Sequence, residues 1–268
     1  MPPAPKRKPR TYDPKKTWDA LNAQVDAVRS AAAGLKPEQL ALPSGLPGWD
    51  VRTLLAHIVG QIDAVPRLLG EPAAPRGASI TDLSTWAVST AGIADRLDAQ
   101  TRETAARIGD PAAELDAAAE RLAPCREEAL RADRLLPHRF GAMRSLDFTV
   151  TRLVELVVHS DDLARATGVD VPLHRQAVAA VSRLLADALA VKAPGGAVEV
   201  RIPPYAVVQC VEGPRHTRGT PPNVVETDPL TWIRLATGRT RWADEVEAAR
   251  VSASGERADL SAELPVLG

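Results

Sequence analysis

From residue 17 to about residue 193 the apolar positions recur every three or four residues, the spacing that lines one side of an α-helix. Trp18, Leu21, Val25 and Val28 form the first stripe, which Thr17 can cap and Gly34 closes. The stretch LPSGLPGWD at 42–50 reads as a turn-rich linker, with Asp50 as the cap of a second helix. That helix aligns Val51, Leu54, Leu55, Ile58, Ile62 and Val65 and stops at Gly70, with a kink expected at Pro66. A third helical stretch covers about 79–108 and is broken at Gly109-Asp110-Pro111. Residues 112–135 read as one or two more exposed helices, interrupted at Pro124, and 136–141 as a loop. A strong helix from about 143 to Gly168 and another over 174–191 complete the helical region.

After Pro194 the period changes from helical to alternating. AVEVRI (197–202), AVVQCV (206–211) and NVVET (223–227) are rich in β-branched residues and read as strands. Asp228-Pro229 is a cap followed by a proline at the first helical position, so LTWIRLATG reads as a helix. A short helix over 242–249 and a strand at VSASG follow. The expected fold class is therefore a four-helix bundle followed by a small α+β domain. Its divisions are a disordered basic tail (1–16), a helical bundle (17–193) and the α+β unit (194–268).

Composition narrows the class without changing the fold. The chain has 268 residues, 45% hydrophobic and 25% charged, as in a soluble globular protein. A net charge of −1 gives no global field toward nucleic acid or an anionic membrane. No run approaches the roughly 20 apolar residues of a membrane span, and no apolar signal segment opens the chain. A cytoplasmic protein, monomeric or homodimeric, is expected. Cys125 and Cys210 sit in no CxxC pair and suggest neither a disulfide framework nor a zinc knuckle. His138, His174 and His216 are expected at the surface.

One helix carries chemistry. In RLVELVVHSDDL (152–163), Glu155 and His159 are four residues apart and share a face, while Leu153, Val154, Leu156, Val157 and Val158 surround them. A helix apolar on nearly all sides is buried, and a carboxylate and an imidazole there must be paired, neutralised or bound to a cation. His57, flanking the apolar stripe of the second helix, is a third candidate, because bundles build metal sites from facing helices. Taken singly, His57 reads as a packing residue and Glu155–His159 as a solvated pair. Together, two His and one Glu with a fourth position left to water match a catalytic zinc-type ligand set. Asp162, one turn beyond His159, could hold its imidazole N–H.

The segments GWDVRTLLAHIVGQ (48–61) and TRLVELVVHSDDLARATG (151–168) resemble the two signature helices of mycothiol-dependent maleylpyruvate isomerases, within the DinB-like metal-binding bundles. The C-terminal stretch 224–265 is similar to a sterol-carrier-type domain. The resemblance implies that His57, Glu155 and His159 bind a divalent metal, zinc being the usual one, and that the reactive thiol comes from mycothiol rather than from a cysteine. It implies thiolate addition to an activated double bond, rotation, and elimination to the trans product. Cationic groups for the substrate's carboxylates would then be needed, and Arg96 and Arg239 are the guesses for that role. The alternative is a non-catalytic, sterol-carrier-like binding protein with a structural metal site. A deep apolar tunnel in the C-terminal domain would favour the carrier, and a domain packed over the metal mouth would favour the enzyme. The partners expected are a small-molecule substrate and a low-molecular-weight thiol, with no nucleic acid and no membrane.

Overall fold

A computed structural model describes residues 10–75, 77–90, 94–215, 219 and 221–267, without the side chains of 94–96. The helical part runs α1 (Pro14–Ala33), α2 (Val51–Gly70), α3 (Leu83–Ser89), α4 (Ala94–Arg107), α5 (Pro111–Leu122) and α6 (Arg126–Ala129). A hairpin of β1 (Leu135–His138) and β2 (Gly141–Arg144) precedes α7 (Ser145–Thr167) and α8 (Arg175–Lys192). Helices α1, α7, α2 and α5 pack in that cyclic order as the four-helix bundle; α4 lies on α2, and α8 on α1 and α7. Helix α7 is thus enclosed by α1, α2 and α8, which is why its sequence is apolar on nearly every side.

Local chemistry fixes the ends of these helices. Asp50 Oδ1 accepts from the Thr53 amide at 2.8 Å and opens α2, as expected. Helix α7 stops at Gly168, whose φ of 70° is the left-handed conformation that glycine adopts without strain. Helix α2 runs through Pro66 to Gly70.

Five expectations need correction here. The helical chain begins before residue 17: Asp13, not Thr17, caps α1, and its carboxylate accepts from the Lys16 amide at 2.8 Å. Arg10 donates to Asp187 at 2.8 and 3.1 Å, so the expected basic tail is anchored from Arg10 onward; residues 1–9 lie outside the described residues. The stretch 79–108 holds two helices, α3 and α4, rather than one. Helix α5 is no exposed helix, because Leu115, Ala118 and Leu122 are buried in the bundle. The loop expected at 136–141 is part of a hairpin in which Leu135 pairs with Arg144 and His138 with Gly141. That ribbon is held from outside: the Ala142 amide donates to Ser79 O at 2.7 Å and the Thr81 amide to Ala142 O at 2.8 Å.

The second unit holds β3 (Val198–Ile202), β4 (Ala206–Cys210), β5 (Val224–Thr227), α9 (Pro229–Ala236), α10 (Trp242–Glu247) and β6 (Val251–Ser254). The sheet order is β4-β3-β5-β6, with β3 and β5 parallel and the other neighbours antiparallel. Val198, Val200 and Ile202 point inward from β3, while Glu199 and Arg201 point outward, the alternation read from the sequence. Asp228 caps α9 through the amides of Leu230 and Thr231. Helix α8 packs on both α9 and β4, and Trp232 of α9 donates its indole N–H to Ser182 O of α8 at 3.2 Å. So α8 joins the two units. Among the described residues, no helix is long and apolar enough to cross a membrane.

Candidate metal centre

Helices α2 and α7 are neighbours in the bundle, and their inward faces bring together the three side chains singled out in the sequence. His57 Nε2 and His159 Nε2 each lie 3.3 Å from Glu155 Oε2. The two imidazole rings meet edge to face, 4.7 Å between centroids. All three ligand atoms fall within 4.8 Å of one another, and this group could hold a metal ion. Ligands at zinc bond lengths of roughly 2.0–2.1 Å stand about 3.3–3.4 Å apart across a tetrahedral corner. The observed 3.3 Å separations suit that geometry. Both histidines are buried, and the Glu155 side chain is 17% exposed.

The hydrogen bonds decide which ring nitrogens carry protons. Arg152 Nη1 donates to Gln61 Oε1, so the Gln61 amide nitrogen must be the atom turned to His57 Nε2, at 3.0 Å. That amide donates, which leaves His57 Nε2 as an acceptor and puts the His57 proton on Nδ1, toward Thr101 Oγ1 at 3.3 Å. His159 Nδ1 faces Asp162 Oδ2 at 3.0 Å, and a carboxylate can only accept, so Nδ1 is protonated there too. Two unprotonated imidazole nitrogens and a carboxylate oxygen therefore gather within 4.8 Å, with the Gln61 amide as a donor to His57 Nε2. Such a group of buried acceptors is the kind that a cation stabilises.

The electrostatics agree. Burial works to raise the Glu155 pKa, yet the bonds from His159 and His57 and the nearby Arg152 charge hold it well below the usual carboxylate range. Burial would also lower His159, but Asp162 and Glu155 outweigh it and raise the pKa. For His57 burial prevails and the pKa is lowered. Asp162 is drawn down, against its burial, by His159 and Arg239.

Two residues of the C-terminal unit reach this end of α7. After α9 the chain turns at Gly238, φ 70°, and the Arg239 amide donates back to Arg234 O at 2.7 Å. The turn brings Arg239 Nη2 to 3.1 Å from Asp162 Oδ2, while its Nη1 donates to Thr237 O at 2.7 Å. Beside it, Arg234 forms a two-pronged pair with Asp161 at 2.8 and 2.6 Å.

Of the residues expected to serve the site, His57, Glu155, His159 and Asp162 lie together. Arg239 sits on Asp162, and the Arg96 side chain lies outside the described residues. Gln61, Thr101 and Arg152 were not anticipated. Gln61 is four residues from His57 and Arg152 three before Glu155, so helical spacing could have exposed both. Thr101 comes from α4 and leaves no local signal. His138 is half-buried in β1, with its pKa pushed down to about 4 by burial and by the charges of Arg152 and Arg139. His174 caps α8 with a buried Nδ1 that lacks a partner, and His216 lies outside the described residues. Burial raises both thiols, Cys210 to about 12, so neither cysteine is a ready thiolate.

Comparison with known proteins gives the family and the fold. The model of the bacterial SCP ortholog family matches residues 174–266, ahead of the domain boundary expected at 194. A solved mycothiol-dependent maleylpyruvate isomerase superposes with a TM-score of 0.57 at 13% identity, covering 92% of this chain and 95% of that one. A His-to-Ala mutant of such an isomerase gives 0.58 at 12% identity, with the same coverage. At these identities the likeness shows the fold: a DinB-like bundle followed by an α+β domain. No curated protein sequence matches the chain. The model of the mycothiol maleylpyruvate isomerase N-terminal domain matches residues 21–164, which hold α2, α7 and all three converging ligand atoms, and the chain belongs to that family.

Proposed function

We propose that the chain is a metal- and thiol-dependent enzyme of the maleylpyruvate isomerase type, acting with mycothiol on a small electrophilic substrate. The observation that carries this reading is the gathering of His57 Nε2, Glu155 Oε2 and His159 Nε2 within 4.8 Å of one another, a set that could hold a metal ion. A divalent ion, zinc by the ligand chemistry, would lower the pKa of a bound thiol and so supply a nucleophile at neutral pH. The chain's own residues do the rest. Thr101 and Gln61 fix the tautomer of His57, and Asp162 fixes that of His159, so both Nε2 atoms stay free of protons. Arg239 holds Asp162 in place from the second unit.

The packing of the C-terminal unit supports the enzyme over the carrier. Its inner sheet face is filled by Val198, Val200, Ile202, Val208 and Trp232, and Arg239 and Arg234 lie against the metal-site helix. Two clefts among the described residues, of about 130 and 390 Å³, are both lined by the helical region. The deciding experiment is metal analysis of the purified chain, followed by turnover of maleylpyruvate with and without mycothiol. About one divalent ion per chain and turnover that requires both components are expected. Retention of no metal, with no thiol-dependent turnover, would leave the carrier reading.

A further inference from the structure

A cleft of about 130 Å³ opens between α2 and α4, beside His57, and it is unusually cationic. Arg152 and Arg67 line it together with Gln61, Gln100, Thr101 and Thr104. Arg67 is exposed and pairs with Glu71 at 3.4 Å. Arg152 is different. Its guanidinium stacks on Phe148, 4.7 Å from the ring centroid, and donates to Thr151 Oγ1 and Gln61 Oε1. Among the described residues no carboxylate comes within 4.0 Å of it. Burial lowers its pKa, the attraction of Glu155 works the other way, and Arg67 adds repulsion. A cation taken out of water without an anionic partner is held there at a free-energy cost. Once Glu155 is engaged by a divalent ion, even that distant compensation is lost, and the local charge becomes more positive.

The mouth of the cleft is equally particular. Gly60 is exposed on α2, and a Cβ built there would meet nothing within 4 Å. A glycine in a helix interior is less favourable than alanine, and Gly60 serves no left-handed turn. What its absent side chain leaves is access to the cleft.

We infer that this cleft is a carboxylate subsite, in which Arg152 and Arg67 bind one carboxylate of a small organic acid while the rest of the molecule lies toward His57. A guanidinium fork suits a planar carboxylate, and the Thr101 hydroxyl and the Gln100 side-chain amide offer further donors. The volume admits a carboxyl group and a few carbons or a few waters, not an intact thiol cofactor. The inference rests on the proposed enzymatic reading for its substrate class, but the subsite itself is a binding claim that needs no turnover.

The test is calorimetric titration of the full chain, zinc-loaded and chelator-stripped, with maleate and with its uncharged diamide. Maleate should bind in both forms and the diamide should not. Gly60→Leu should weaken maleate by about ten- to hundredfold, the scale of lost charge-assisted bonds, with zinc content unchanged, and Arg152→Gln should weaken maleate on the same scale. Arg152→Lys should fall between. Gly60→Leu gains helix propensity and leaves the arginine network alone, so it decides the matter if Arg152→Gln does not fold. Equal maleate affinity in wild type and Gly60→Leu, or equal affinity for acid and diamide, would overturn the subsite. Zinc content measured on the same samples separates the two claims: maleate binding that depends on Arg152 in a chain that never retains zinc would defeat the enzymatic reading alone.

Discussion

Asp162 Oδ2 is shared between His159 Nδ1 at 3.0 Å and Arg239 Nη2 at 3.1 Å, so one buried carboxylate ties the metal-site helix to the second unit. The carboxylate is only 4% exposed, and both partners are donors, so it stays ionised against its burial. Groups that hold a ligating histidine by its other nitrogen set both ring direction and basicity. Asp162→Asn keeps the shape and removes the charge. Its metal affinity, measured by competition with a chromophoric chelator, should drop by about 10–100-fold without vanishing. Unchanged affinity would reduce Asp162 to an interdomain clamp.

His159→Ala removes a ligand rather than its support. Metal content of the purified variant should fall close to zero, while the far-ultraviolet helical signal is retained, because the loss leaves a cavity in an otherwise intact core. Full occupancy in this variant would show that the ion sits elsewhere.

The ligand residues were legible because helical geometry is local. Glu155 and His159 share a face by spacing alone, and the surrounding valines and leucines announce burial. Cap chemistry is local as well, which is why Asp50 and Asp228 could be placed in advance. What could not be read was anything decided by partners distant in sequence. The 135–144 hairpin carries Pro137 and little β-branching, and it persists because 79–81 docks on it. Helix α5 looks amphipathic but weak, and it buries Leu115, Ala118 and Leu122 only because α1 and α2 pack on it. Arg239 was noticed as a cation, but its engagement with Asp162 depends on a turn that only the folded chain reveals.

The Asp161–Arg234 pair should contribute to the union of the two units. Asp161 is 7% exposed, and two charge-assisted bonds of 2.8 and 2.6 Å satisfy it. Arg234→Leu leaves that carboxylate buried without its partner, at a cost of about 1–3 kcal/mol. Chemical denaturation of the variant should show a lower midpoint with an unchanged slope if the units unfold together. An added, separate transition would mean that this pair is what couples them.

His138 gives the acid limb of stability its sign. In the folded chain its pKa is about 4, with burial the main cause and the Arg152 and Arg139 charges next. In the unfolded chain it returns to about 6.5. Between those values the unfolded state binds the proton and the folded state does not, so stability must fall as pH drops from about 6.5 to about 4 and then level off for this group. Partial exposure limits the loss to about 1–2 kcal/mol. His138→Gln removes the titration while keeping a polar side chain at the hairpin. Urea unfolding at a series of pH values should show the variant losing less stability than the parent over that window. Parallel curves for the two proteins would mean that His138 is solvated and titrates normally.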